Sequence, residues 1–117
     1  MAQSIVSIKK RSTFIYVRQK SKFVRSSSFN IQILEDKLLN NSIAVGYIAT
    51  KRIGNAVNRN RAKRRMRSLI NSCLKNDNNF FKGNSSYVLV AKKPLIKASF
   101  TNLKDEIKES LNKLWLI

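Results

Sequence analysis

The segment 43–73 decides the fold, and its sequence is IAVGYIATKRIGNAVNRNRAKRRMRSLINSC. Residues 43–50 form a short and mainly apolar run, which predicts a buried strand. Residues 55–75 predict a long helix, because apolar side chains recur there at helical spacing, at Ala62, Met66, Leu69, Ile70 and Cys73. On a helical projection these five fall within roughly one third of the circumference, so we expect this stripe to face a core.

The opposite side of the same predicted helix is densely basic. Its residues are Asn60, Arg61, Arg64 and Arg67, flanked by Lys63 and Arg65. Like charges three or four positions apart repel by roughly 0.2–0.5 kcal/mol per pair, and no acidic residue lies between positions 51 and 76. Arginine suits bidentate contacts with phosphate, and Gly54 and Asn55 add backbone N–H groups at the helix start. The segment 51–67 therefore predicts a nucleic-acid-binding surface. A solvated helix face, a nuclear-localisation-like segment and a membrane-surface helix remain alternatives.

The overall charge supports the same interpretation. The 117 residues include 24 Lys and Arg against 6 Asp and Glu, which gives a net charge of +18, while 43% of the residues are hydrophobic. Small domains usually carry a net charge of about 2 to 8, and a larger charge destabilises the compact state unless a polyanion neutralises it. The composition predicts a folded domain with a nucleic acid partner, although charge alone does not separate RNA from DNA.

The flanking segments complete a small α+β domain. The predicted elements are helices at 12–20, 55–75 and 99–114, strands at 29–33, 43–50 and 86–92, and a turn at Asn40 and Asn41. Ser12 and Thr101 are candidate N-caps. The strand 29–33 alternates apolar residues with Asn30 and Gln32, which places both amides on one face. The order α-β-β-α-β-α predicts a central sheet packed by helices, with a βαβ crossover, in one domain spanning residues 1–117.

Catalytic chemistry in the protein itself is not expected. The chain has no His, and its acidic residues are Glu35, Asp36, Asp77, Asp105, Glu106 and Glu109. The last three alternate with lysines, a pattern typical of a solvated helix face. We find no phosphate-loop, zinc or triad spacing, so we predict neither catalytic residues nor a metal site in the protein. The single cysteine, Cys73, predicts a cytoplasmic protein without an internal disulfide, and no run is long enough for a membrane span.

The segment 49–67, ATKRIGNAVNRNRAKRRMR, closely resembles the signature of the bacterial ribonuclease P protein family. The hallmark is the triplet Arg59-Asn60-Arg61 followed by Lys63-Arg64. The resemblance extends to Phe14-x-x-Val17, to the run YVLVAKKP at 87–94 and to Leu111-x-x-Leu114-Trp115, so it covers nearly the whole chain. Arg18, Asn30 and Gln32 depart from the family, whose members can have aromatic or apolar residues there.

The resemblance implies a function, a set of partners and a fold. It implies a protein subunit of ribonuclease P, which removes the 5′ leader of precursor tRNA with a catalytic RNA and its magnesium ions. The partners would be that RNA and precursor tRNA, with no DNA, no membrane and no cofactor in the protein. The family fold has a left-handed crossover, whereas the general rule for such connections is right-handed.

Site residues follow from the same resemblance, position by position. The residues expected to face the catalytic RNA are Lys51, Arg52, Asn55, Arg59, Asn60, Arg61, Lys63, Arg64 and Arg67. The residues expected to line a leader cleft between the first helix and the sheet are Phe14, Val17, Arg18, Asn30 and Gln32. Phe14 has two interpretations, as a stacking platform for a base or as a core anchor. The alternative function is a ribosomal or ribosome-assembly RNA-binding protein.

Overall fold

The computed structural model describes residues 5–76 and 81–116, and it describes no side chains at 76 or 114–116. The strands are β1 (Ile5–Ser7), β2 (Lys22–Arg25), β3 (Phe29–Glu35), β4 (Ile43–Ile48) and β5 (Ser85–Ala91). The helices are α1 (Arg11–Lys20), α2 (Ala56–Asn76) and α3 (Phe100–Leu116). Short 3-10 turns lie at Lys37–Leu39, Lys51–Ile53 and Lys93–Ile96.

The strands form one sheet in the order β1-β4-β5-β3-β2. β1 and β5 both pair with β4 in parallel, whereas β3 runs antiparallel to β5 and β2. The parallel neighbours β4 and β5 are joined through α2, which confirms the predicted βαβ unit. The left-handed path of this crossover stays a prediction.

The predicted α+β class is confirmed, and all six predicted elements are present with shifted ends. The order α-β-β-α-β-α is incomplete, because β1 and β2 were not predicted. β1 has three residues, all exposed, and β2 buries only Val24. Such short edge strands form because a neighbouring strand offers hydrogen bonds, and their own sequence carries little period-two signal.

Two predicted helix caps are wrong. The residue that precedes α1 is Lys10, which makes no side-chain capping bond, and Ser12 lies inside the first turn. At α3 the cap is Ser99, whose Oγ accepts from the backbone N–H of Asn102 at 3.1 Å, whereas Thr101 is already helical. The turn prediction is confirmed, since Asn40 and Asn41 both have positive φ, at 52° and 67°.

The sheet is covered unequally on its two faces. α2 and α3 pack on one face, where the core contains Ile31, Tyr87, Met66, Leu69, Ile70, Leu103, Ile107 and Leu111. The whole predicted stripe of α2, including Cys73, is buried. The side chains of Leu114 and Trp115 lie outside the described residues. α1 packs on the other face through the buried Val17, and it leaves part of that face open.

Glu106 differs from its predicted role on a solvated helix face. Its carboxylate accepts hydrogen bonds from the Ser26 hydroxyl and, at 2.7 Å, from the Ser28 backbone N–H. On the same turn, the Lys92 ammonium donates to the Ser26 carbonyl at 2.6 Å. α3 therefore clamps the turn between β2 and β3, because a carboxylate is a strong acceptor for two otherwise unpaired donors.

Replacing Glu106 should therefore destabilise the fold. We expect Glu106→Ala to lower the free energy of unfolding by about 1–3 kcal/mol, since it leaves the donors of Ser26 and Ser28 partly buried without an acceptor. Urea denaturation followed by circular dichroism measures this change. The matched control is Glu109→Ala, an exposed carboxylate one turn away. Equal stabilities of the two variants would show that the clamp contributes nothing.

Candidate RNA interface

The basic segment begins in a turn whose shape depends on specific residues. Ile53 is buried and anchors the 3-10 turn Lys51–Ile53, which leaves Lys51 and Arg52 exposed. Gly54 follows with φ of 132°, a conformation that favours glycine. Asn55 then caps α2, because its side-chain oxygen accepts from the backbone N–H of Asn58 at 3.0 Å. The turn therefore sets the direction in which the basic side of α2 points.

The two faces of α2 are as the periodicity predicted. Ala62, Met66, Leu69 and Ile70 are fully buried. The exposed residues on the other side are Asn60, Arg61, Arg64 and Arg67, and Arg59 and Lys63 are partly buried. Together with Lys51, Arg52 and Asn55, they place all nine residues predicted to face the catalytic RNA on one continuous segment. We call this set the basic face.

Arg65 has a different role from its neighbours. Its Nη2 donates to the backbone carbonyl of Ala98, in the segment that leads into α3. Its Nε is buried without a hydrogen-bond partner among the described residues. Arg65 therefore ties α2 to α3, and it presents less of its guanidinium to solvent than the exposed Arg64 does.

Arg67 at the far end of the basic face is held by an aromatic ring. Its guanidinium carbon lies 5.5 Å from the centroid of the Tyr47 ring, within the range of a cation–π contact. Burial raises the pKa of the Tyr47 hydroxyl to about 12, although the charge of Arg67 opposes this shift. The hydroxyl therefore stays protonated and remains a donor. A pocket of about 290 Å³ beside it is also lined by Lys9, Lys63 and Phe14.

The open sheet face lies beside this surface. The register places side chains of this face in rows across the strands. One row is Phe23, Gln32, Val88 and Gly46, and the next is Arg25, Asn30, Val90 and Ile48. α1 lies over the end of the face that contains Leu34 and Ser86. There Tyr16 and Val17 of α1 line a pocket together with these two residues. The predicted shared face of Asn30 and Gln32 is confirmed.

Phe14 connects α1 to this face through Gly46. A Cβ atom at Gly46 would lie 2.5 Å from Cε1 of Phe14, closer than van der Waals contact allows. The ring therefore packs directly on the backbone of β4, in agreement with its interpretation as an anchor, and it remains partly exposed. Val17 is buried under α1, whereas Arg18 is exposed on it. We call the space between α1 and the two rows the cleft.

The floor of the cleft carries two unpaired polar atoms. The side-chain oxygens of Asn30 and Gln32 are buried and have no hydrogen-bond partner among the described residues. An unpaired buried polar group costs about 1–3 kcal/mol, so each amide gains free energy if its side chain rotates to meet an N–H donor from a ligand. Unpaired nucleobases present such donors on their edges.

A pocket joins the cleft to the basic face. Its volume is about 470 Å³, and its lining includes Asn30 and Val90 from the cleft floor and Arg52, Lys92 and Lys93 around its rim. Sequence reasoning placed Arg52 and Asn30 on separate surfaces and did not include the two lysines. The pairing of β5 with both β3 and β4 brings these residues together.

Metal chemistry has no obvious ligands in this part of the chain. Within residues 5–76 and 81–116, no group of three or more His, Cys, Asp or Glu side chains could hold a metal ion. In the same residues, no helix is long and apolar enough to cross a membrane.

Comparison with known proteins identifies the family. A family model described as Ribonuclease P matches residues 3–115. The chain belongs to the ribonuclease P protein family. It is therefore a protein subunit of the enzyme that matures the 5′ ends of tRNA, and RNA binding is a family property. These matches favour the ribonuclease P assignment over the ribosomal alternative.

Similar proteins cover most of the chain. The ribonuclease P protein component of Bacillus cereus strain Q1 is 35% identical over 104 residues, which are 89% of this chain and 83% of the relative. That of Nitratiruptor sp. is 29% identical and covers 96% of this chain and 94% of the relative. The Staphylococcus aureus RNase P protein structure has a TM-score of 0.74 at 20% identity, covering 92% of this chain and 93% of that chain. The Thermotoga maritima protein has 0.73 at 17%, covering 95% and 96%. The two structures confirm the fold.

The packing of Phe14 on Gly46 can be tested by a double-mutant cycle. We expect Gly46→Ala to destabilise the fold by about 1–3 kcal/mol, because the new methyl group overlaps the ring of Phe14 and also approaches Ile8 at 3.0 Å. The same change should cost less in a Phe14→Leu background, where the ring is absent. Urea denaturation of the four proteins measures the coupling. Equal costs in both backgrounds would mean that Phe14 does not occupy this position.

Proposed function

We propose that the chain binds two RNA molecules at adjoining surfaces. The basic face docks on the catalytic RNA of ribonuclease P, and the cleft holds the single-stranded 5′ leader of precursor tRNA during endonucleolytic removal of that leader. The observation that carries this proposal is the pocket that joins Arg52 to Asn30. It makes the two surfaces continuous, so that a leader in the cleft would run towards the docked RNA.

The charge and exposure of the basic face support docking on a folded RNA. Lys51, Arg52, Arg61, Arg64 and Arg67 are all exposed. With Asn55, Arg59, Asn60 and Lys63 they supply donors along one continuous segment, and no acidic residue interrupts them. The planar guanidinium group of arginine can donate two parallel hydrogen bonds to phosphate oxygens. The guanidinium of Arg67 is already held by the Tyr47 ring in the absence of RNA. Because Arg67 is already ordered, it loses less side-chain entropy on binding than a free arginine does.

The shape of the cleft supports an unpaired strand as its occupant. The floor presents amide oxygens that need donors, and nucleobases expose their donor edges only when they are unpaired. Phe14 and Arg18 form the α1 wall, and Asn30 and Gln32 form the floor. Val17, which was also expected to line the cleft, is buried and holds α1 on the sheet. Lys92, Lys93 and Arg52 at the open end would neutralise the phosphates of the strand.

Catalysis is proposed to lie in the RNA subunit and its magnesium ions. Two carboxylates of the described residues have structural roles, which supports this view. Glu106 holds the β2–β3 turn, and Asp36 accepts from the backbone N–H of Leu38 at 3.0 Å. A phosphodiester cleavage needs metal ions or acid–base groups beside the reacting phosphate, and the basic face supplies neither. We propose a single domain that works in the cytoplasm.

Reconstitution with the catalytic RNA tests the proposed function. We expect the protein to stimulate cleavage of precursor tRNA at low magnesium concentration, because its cations neutralise phosphates that otherwise need divalent ions. The protein alone should leave the substrate intact. Gel analysis of the released leader measures both reactions. No stimulation of the RNA would refute the proposed role, and cleavage by the protein alone would refute the assignment of catalysis to RNA.

Arg64 and Arg65 provide a matched pair of variants for the docking surface. We expect Arg64→Ala to weaken binding of the catalytic RNA and to reduce the slope of log affinity against log salt by about 1, with little effect on stability. Arg65→Ala should instead lower the free energy of unfolding by about 1–3 kcal/mol, because it removes the bond to Ala98. Filter binding across a salt series and urea denaturation separate the two effects. If Arg64→Ala lowered the free energy of unfolding and Arg65→Ala weakened RNA binding, the two assigned roles would be wrong.

A further inference from the structure

Phe23 is a large apolar side chain that the fold does not bury. It lies on β2 at the outer edge of the sheet, and 53% of it is exposed. Its neighbour Val24 belongs to the core on the α2 side of the sheet. Since successive side chains of a strand point to opposite faces, Phe23 and Arg25 lie on the cleft side.

The register places this pair next to the unpaired amides of the cleft floor. Phe23 is the direct partner of Gln32, and Arg25 is the direct partner of Asn30. Directly opposed residues in an antiparallel pair have Cβ atoms about 4.5–5.5 Å apart. The exposed ring therefore borders the two oxygens that need donors.

Arg25 organises the exposed ring. Its guanidinium carbon lies 5.6 Å from the centroid of the Phe23 ring. This cation–π contact fixes the guanidinium beside the aromatic surface. One residue thus offers a flat apolar surface, and the next offers a cation for a phosphate. Proteins that bind single-stranded nucleic acid combine the same two features.

We propose that Phe23 and Arg25 form a stacking site for an unpaired RNA base, which extends the cleft to the β2 edge of the sheet. The proposal rests on the proposed function, because it assigns this base to the leader. Three strand spacings of about 4.8 Å each separate β4, where Phe14 packs, from β2, so the track across the strands is about 14 Å long. A base on Phe23 would lie at the β2 end of the track, far from Phe14 and β4.

Charge favours RNA over another protein surface as the occupant. A second copy of this chain would bring another +18 charges towards Arg25, and like charges repel. An apolar protein segment brings backbone N–H groups for Asn30 and Gln32, but it brings no anion for Arg25. A nucleotide meets all three demands, with a base face for the ring, base N–H groups for the amides and a phosphate for Arg25.

The test uses the reconstituted holoenzyme and two substrates. Precursor tRNA with a leader of several nucleotides can reach β2, and the same tRNA with a leader of one nucleotide cannot. We expect Phe23→Ala to weaken binding of the long-leader substrate by roughly fivefold to a hundredfold, the range for loss of one stacked base. Binding of the short-leader substrate should not change. Phe23→Trp should retain the wild-type affinity, because it keeps an aromatic face.

Phe100→Ala is the matched control. Phe100 is also partly exposed, at 37%, with the ammonium of Lys104 5.2 Å from its ring centroid, but it lies on α3. We expect this variant to bind both substrates like the wild type. An equal loss for both substrates in Phe23→Ala would overturn the proposal, since it would indicate a structural role.

The outcomes also separate this proposal from the proposed function. If Gln32→Ala weakens long-leader binding while Phe23→Ala does not, the cleft holds the leader and the stacking site is wrong. If the wild-type holoenzyme binds both substrates equally, the leader does not use the cleft, and both proposals fail.

Discussion

The structure depends on burial of the apolar stripe of α2 against the sheet. Met66, Leu69 and Ile70 are completely buried. Full burial of one such side chain contributes about 1.5–3 kcal/mol, as an upper estimate. The arginine pairs on the opposite side repel by only about 0.2–0.5 kcal/mol each. The hydrophobic term is therefore larger by a wide margin, and the helix tolerates a density of cations that an isolated peptide would not. Burial of the apolar stripe therefore more than offsets the repulsion between the cations of the basic face.

The unequal covering of the sheet bears on the proposed function. Two helices cover most of one face, and the shorter α1 covers only part of the other. The exposed part has a polar floor whose amide oxygens lack partners in the described residues. A face that served stability alone would carry apolar residues or paired amides at Asn30 and Gln32. The two unpaired amides lower stability, and in the proposed function they provide selectivity for a ligand with donors.

Local patterns in the sequence predicted the elements that carry strong periodicity. The stripe of α2, the alternation in β3 and the asparagine turn were all predictable, because each is determined by neighbours along the chain. The short strands were not, since β1 and β2 form only when distant β4 and β3 offer their edges. Phe23 was missed for the same reason, because its face is defined by pairing with Gln32.

Individual contacts between distant segments could not be predicted from the sequence either. Glu106 reaches a turn about 80 residues earlier in the chain, and its spacing among lysines suggested only a solvated face. Arg65 differs from Arg64 because its guanidinium donates to the backbone carbonyl of Ala98. A helical projection of α2 does not include this distant residue. Within the candidate site, the basic face was predictable from one segment, whereas the leader residues came from family resemblance. The pocket that joins Arg52 to Asn30 required the folded sheet.

The position of this pocket bears on how two polyanions can be brought together. A leader strand and a catalytic RNA repel each other, and this repulsion is strongest where their phosphates approach most closely. The proposed tracks converge at Arg52, Lys92 and Lys93, so the closest approach coincides with a cluster of cations. Lys92 also donates to the Ser26 carbonyl, so part of this charge is tied to the turn that Glu106 clamps. The net charge of +18 destabilises the free protein, but between two RNA molecules the same charge offsets repulsion on both sides.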